Sequence, residues 1–185
     1  MRLFVSSAFE PAFAANLKAV SDYARGNAGR DAVRWVAPEA FHLTYAFLGE
    51  LGAPGAEAAV KGIDEALAAA RAFTIVSGGF GCFPSQRRPS VLWLGIAEGS
   101  AELRELARRL AEALAANGVF FEDRFEPHVT LGRVKGPLPE GFFRRAADYA
   151  AVHKAASRVS SVELTESRLT PDGPVYRQVY SRRLL

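Results

Sequence analysis

FHLTYAFLGE at residues 41–50 and PHVTLGRV at residues 127–134 decide how this 185-residue chain is read. Each is a β-rich run carrying a histidine and, two positions on, a threonine: His42 with Thr44, and His128 with Thr130. Side chains alternate across a strand, so each pair sets an imidazole and a hydroxyl side by side on one face. The same period assigns Phe41, Leu43, Tyr45 and Phe47 to the opposite, core-facing side of the first strand, and Val129 and Leu131 to that of the second. The third histidine, His153, precedes Lys154 and Ala155 and reads as a surface residue. Two satisfied core histidines remain the alternative to a site at this point.

Working outward, RLFVSSAF reads as a strand and is followed by a helix with Phe13, Leu17, Val20 and Ala24 on one face and Gly26 as its stop. VRWV and the first histidine run are extended, and an Ala-rich helix follows with Val60, Ile63, Leu67 and Ala70 at helical spacing, weakened by Gly62. FTIVSGGFGCF and VLWLGIA read as strands joined by the loop PSQRRPS. A third helix has Ser100 as N-cap, Leu103, Leu106, Leu110 and Leu114 as its stripe and Gly118 at its end. After the second histidine run come a short helix around PEGFFRRAADYA and two strands, SRVSSVELTES and VYRQVYSRRLL. Four helices, about eight strands and no linker predict one domain over residues 1–185. Its fold class is α+β, with two similar lobes related by a pseudo-two-fold axis.

Composition agrees with a packed globular chain, 49% hydrophobic and 23% charged. The apolar run near the start is too short for a signal peptide or membrane span, so a cytoplasmic protein that makes no membrane contact is expected. A lone cysteine, Cys82, excludes an internal disulfide and reads as buried and inert. The net charge of +3 and the predominance of arginine over lysine make cations available to phosphates.

The HLT and HVT segments resemble the paired H-x-T/S motifs of the 2H phosphoesterase superfamily. RLFVSSAF, WVAPEAFHLTYAFLGE, FGCFPSQRRPSVLWLGI, RFEPHVTLGRV and VELTES are similar, in order, to its 2′-5′ RNA ligase branch, also called RNA 2′,3′-cyclic phosphodiesterase. Tyr45 and Ala46 depart from a second Leu-type pair, and Gly132 from a common Ala. The resemblance implies lobes of antiparallel sheet with helices outside and the active-site cleft between them, and opening of RNA 2′,3′-cyclic phosphate ends to 2′-phosphomonoesters, with 2′-5′ ligation as the reverse use of the site. His42 and His128 are then the catalytic acid and base, since an imidazole titrating near pH 6.5 serves in either role. His128 is the expected base and His42 the expected acid, with the opposite assignment open. Thr44 and Thr130 would donate hydrogen bonds to the phosphate. Arg133 would join them, although in a regular strand it faces away from His128, so a twist or bulge near Gly132 is required. Further candidate RNA contacts are Arg124, Arg87 and Arg88, with Tyr176 and Phe9 as base-stacking rings. Neither metal nor cofactor is expected. The partner would be RNA with a cyclic phosphate end, tRNA fragments included, and the protein a monomer.

Three other readings stand beside this one. The same four residues would serve a small nucleotide such as ADP-ribose 1″,2″-cyclic phosphate. A non-catalytic RNA-end-binding module would use the histidines only for contact. A two-histidine metal site lacks an Asp, Glu or Cys within the motifs.

Overall fold

Apolar stripes at helical spacing and β-rich runs between them set the element order. The computed structural model describes residues 1–122, 124–171 and 173–185. Among these lie nine strands and four helices: β1 (Arg2–Ser7), α1 (Pro11–Asn27), β2 (Val33–Trp35), β3 (Leu43–Glu50), α2 (Ala53–Leu67), β4 (Phe73–Ser85), β5 (Arg88–Glu98), α3 (Ser100–Ala116), β6 (His128–Val134), α4 (Phe142–Val152), β7 (Ala156–Val159), β8 (Ser161–Thr170) and β9 (Gly173–Arg183). A 3-10 turn at Pro38–Ala40 leads into β3. The ninth strand arises because SRVSSVELTES is two strands, β7 and β8, which join different sheets.

The predicted stripes of α1 and α3 are buried in full. Their ends differ from expectation. Gly26 does not stop α1, which runs on to Asn27, whose side-chain amide donates to the Tyr23 carbonyl at 2.9 Å; the chain reverses at Gly29, where φ is +80°. Ser100 is the first residue of α3 and no cap: its hydroxyl donates backwards to the Ile96 carbonyl at 2.7 Å. Gly118 does end α3 with φ +78°, and the Val119 N–H closes back on the Leu114 carbonyl.

In α2, Ile63 and Leu67 are buried, Val60 is half-buried, and Ala70 is buried beyond the helix end. Gly62 is a contact point here more than a weakness. A Cβ at that position would sit 3.1 Å from Leu114 Cα and 3.2 Å from the Ala113 carbonyl oxygen, so the missing side chain lets α2 and α3 approach backbone to backbone. Gly62→Val forces a branched side chain against α3 and is expected to lower stability by about 1–3 kcal/mol, read as a lower urea midpoint at unchanged slope. An unchanged midpoint would mean the helices part freely.

All strand pairings are antiparallel. One sheet has the order β3-β1-β8-β9 and the other β2-β6-β5-β4-β7. Helices α2 and α3 pack on each other and against the first sheet, α1 and α4 on each other and against the second. The two lobes are not the two halves of the chain: β8 and β9 return to pair beside β1, and β2 crosses to flank β6. One buried cluster runs through both lobes.

Two register features correct the regular-strand picture. The segment PSQRRPS is largely hairpin, with only Gln86 and Arg87 between β4 and β5. In β3 the pairing with β1 skips Tyr45 and then Leu48, so Val5 faces Ala46 and Phe4 faces Phe47. Parity therefore changes after Thr44. Tyr45, Ala46 and Leu48 are buried, while Phe47, expected on the core side, is 67% exposed.

Candidate active site between the two sheets

The backbone holds each histidine in the same way. His42 Nδ1 lies 2.7 Å from the Ala40 carbonyl oxygen, and His128 Nδ1 lies 2.6 Å from that of Glu126. A carbonyl only accepts, so Nδ1 carries the hydrogen in both neutral rings and Nε2 is left to give or take a proton. Aromatic rings pack around both. His42 lies 4.8 Å from Phe4 and edge-on to Tyr176 at 5.0 Å; His128 is edge-on to Phe83 at 5.0 Å, and Phe83 is 5.3 Å from Trp93. Burial pulls both imidazoles below the ordinary 6.5, against the raising effect of the carbonyl bonds. Arg104 pairs with the Glu126 carboxylate at 2.9 Å, bracing the residue whose carbonyl orients His128.

Thr44 and Thr130 are half-buried, and among the described residues neither hydroxyl has a hydrogen-bond partner. Thr44 sits across from Ser6 and Thr130 across from Trp93. Directly after each threonine one residue drops out of the pairing register, Tyr45 in β3 and Leu131 in β6. This is the bulge that Arg133 requires. It restores Arg133, three residues beyond Thr130, to the face of His128 and Thr130. Burial pushes the phenol of Tyr176, the ring edge-on to His42, above its ordinary value, against the lowering charges of Arg133 and Arg2. Beneath, Tyr45 donates to Ser7 at 3.0 Å and Ser7 donates to the Ser161 carbonyl at 2.6 Å, which satisfies a phenol where the resemblance expects an apolar residue.

The chain matches the family model of the 2′-5′ RNA ligase superfamily over residues 10–170. It belongs to that superfamily. An RNA 2′,3′-cyclic phosphodiesterase of Archaeoglobus fulgidus is 34% identical over 185 residues, covering 97% of this chain and 98% of the relative. Among solved structures, TT0787 of Thermus thermophilus superposes with a TM-score of 0.79 at 26% identity, covering 100% of this chain and 98% of that one. LigT of Escherichia coli complexed with 3′-AMP gives 0.73 at 27% identity, with 99% and 97% covered.

Not every expected residue of this 2′-5′ RNA ligase superfamily member is drawn to the histidines. Arg87 and Arg88 are exposed at the tip of the β4–β5 hairpin, and Arg87 lines a groove of about 520 Å³ with Phe142, Phe143 and Arg144, of which neither histidine is part. Arg124 pairs with Glu122 at 2.9 Å and is 81% exposed. Phe9 stacks on the buried Phe13 at 4.7 Å, so its face is taken by the core. Cys82 is half-buried, with its thiol raised by burial.

Three rings around the histidines escaped the sequence reading: Phe4, Phe83 and Trp93. For Trp93 a signal exists. Its indole lies over Gly81, where a Cβ would come within 2.4 Å of the ring, and a small residue facing a large one across a hairpin is legible once the pairing is known. Among the described residues no group of three His, Cys, Asp or Glu comes together to hold a metal, and no helix is long and apolar enough to cross a membrane.

Proposed function

We propose that this chain is an RNA 2′,3′-cyclic phosphodiesterase, opening cyclic phosphate ends to 2′-phosphomonoesters with His42 and His128 as the acid/base pair. The observation that carries the reading is the matched anchoring of two imidazoles, each with Nδ1 tied to a carbonyl and, two positions on, a threonine whose hydroxyl has no partner among the described residues. In the step, a water oxygen attacks phosphorus and gives its proton to His128 Nε2. The bond from phosphorus to the ribose 3′-oxygen breaks, and His42 Nε2 protonates that oxygen. Thr44, Thr130 and Arg133 meet the charge on the non-bridging oxygens. An RNA 5′-hydroxyl in place of water would give a 2′,5′ linkage by the same proton movements. The relatives named as RNA 2′,3′-cyclic phosphodiesterases support this choice of substrate.

The test is incubation with a short RNA ending in a 2′,3′-cyclic phosphate, in EDTA, and resolution of the product. A 2′-phosphate is expected. A 3′-phosphate, or binding with no turnover, would remove the reading in favour of another chemistry or a binding module.

A pH dependence follows. One imidazole must be neutral and one protonated, and burial holds both below 6.5 in the free protein. The bell in kcat/KM is therefore expected to peak on the acid side of 6.5, falling at higher pH as the acid loses its proton. For kcat the alkaline limb should lie higher, because bound phosphate favours the imidazolium. An alkaline optimum in kcat/KM would contradict the assignment.

A further inference from the structure

The pseudo-symmetric bulges display different residues. In β6 the position three beyond the threonine is Arg133, and in β3 the same position is Phe47, opposite Phe4 and on its face of the sheet, with ring centroids 6.0 Å apart. Phe4 in turn lies against His42 and Tyr176. Phe4 thus bridges Phe47 to the His42 imidazole. Phe47 is 67% exposed, and without the register skip at Tyr45 the alternation would turn it away from this face. Two cations stand by: Arg2, two residues before Phe4 on the same strand, and Arg133 from the opposite lobe. Both are exposed, Arg2 shares the face of Phe4 by strand alternation, and neither has an ion pair among the described residues. An exposed aromatic ring with an unpaired arginine on the same face of the sheet is the pattern by which single-stranded nucleic acid is held, base on ring and phosphate on cation.

We propose that Phe47 is the stacking platform for the base of the penultimate nucleotide, the one preceding the nucleotide that carries the cyclic phosphate. The linking phosphate lies toward Arg2. This rests on the cyclic phosphodiesterase reading and adds a length requirement to it: an oligonucleotide end is a better substrate than a nucleoside 2′,3′-cyclic phosphate.

The experiment compares kcat/KM for adenosine 2′,3′-cyclic phosphate and for the dinucleotide ApA ending in a 2′,3′-cyclic phosphate, with wild type, Phe47→Ala and Phe47→Trp. Base-on-aromatic stacking corresponds to roughly 5- to 150-fold per base. Wild type is expected to favour the dinucleotide by a factor in that range. Phe47→Ala should lose most of that preference while changing less than about twofold on the mononucleotide, and Phe47→Trp should retain it. Equal losses on both substrates, or no loss on either, would overturn the proposal, and circular dichroism of the variant separates a folding defect from either. If wild type turns over neither substrate, the underlying phosphodiesterase reading fails first and the subsite fails with it.

Discussion

His42→Ala and His128→Ala are each expected to lower hydrolysis of a 2′,3′-cyclic phosphate RNA end by about 10²–10⁴-fold, the range for a positioned proton-transfer group. The fold should survive. Both rings are half-buried, and each Nδ1 is bonded to a carbonyl two residues back in its own segment, so truncation breaks no long-range hydrogen bond and gives up only the ring contacts with Phe4, Tyr176 and Phe83. Truncation also removes a ring that burial disfavours in its charged form, so stability on acidification should improve. The sign follows from the direction of the shift: a histidine whose folded pKa lies below its unfolded value protonates first in the unfolded chain, and stability is lost as pH falls from about 6.5 toward the folded value. The variants should then lose less stability than wild type across that window. Each should also lose one limb of the pH–rate bell, the alkaline limb with the acid and the acidic limb with the base. On a phosphodiester with a nitrophenolate leaving group, which needs no proton, the variant lacking the acid should lose far less than the variant lacking the base. If His42→Ala recovers on that substrate, His42 is the acid; if His128→Ala recovers instead, the roles are reversed. Full activity in both variants on the RNA end would remove catalysis from these strands altogether.

The parts of this architecture that depend on one segment at a time could be read from the sequence. Leu103, Leu106, Leu110 and Leu114 define a buried face by spacing alone, and the histidine and threonine of each motif share a face because they are two apart on one strand. What depends on a partner strand could not be read. The skips at Tyr45 and Leu131 are properties of pairing with β1 and β5, and no pattern within FHLTYAFLGE distinguishes a buried Phe47 from an exposed one. Arg133 shows the boundary. The alternation rule showed that a bulge was needed for it to reach the cleft, and the residue skipped proved to be Leu131, next to the expected Gly132. A Cβ on Gly132 would come within 2.6 Å of Val33, so the glycine permits close packing on β2 beside the bulge. Similar pairing effects explain the lobes. Nothing local in VELTES indicates that it returns to lie beside the first strand of the chain.

Thr44→Val and Thr130→Val separate catalysis from structure most cleanly, because valine keeps the branched shape and removes only the hydroxyl. Neither hydroxyl has a partner among the described residues, so no internal hydrogen bond is broken and the melting temperature should hold or rise slightly. Activity should respond differently. A donor aimed at charge that develops in the transition state contributes about 10²–10³-fold. The cyclic phosphate already carries a negative charge in the ground state, which shifts part of that effect from kcat into KM. Each variant is therefore expected to lose about 10²-fold in kcat/KM, divided between the two constants, while serine in place of either threonine should keep most of the activity. The double variant should lose close to the product of the single losses if the hydroxyls meet different non-bridging oxygens, and clearly less if they share one. Full activity in the valine variants would mean the hydroxyls only face solvent. A fall of many degrees in melting temperature would mean they hold the strands, and in either case the two-sided phosphate grip would have to be rebuilt around Arg133 alone.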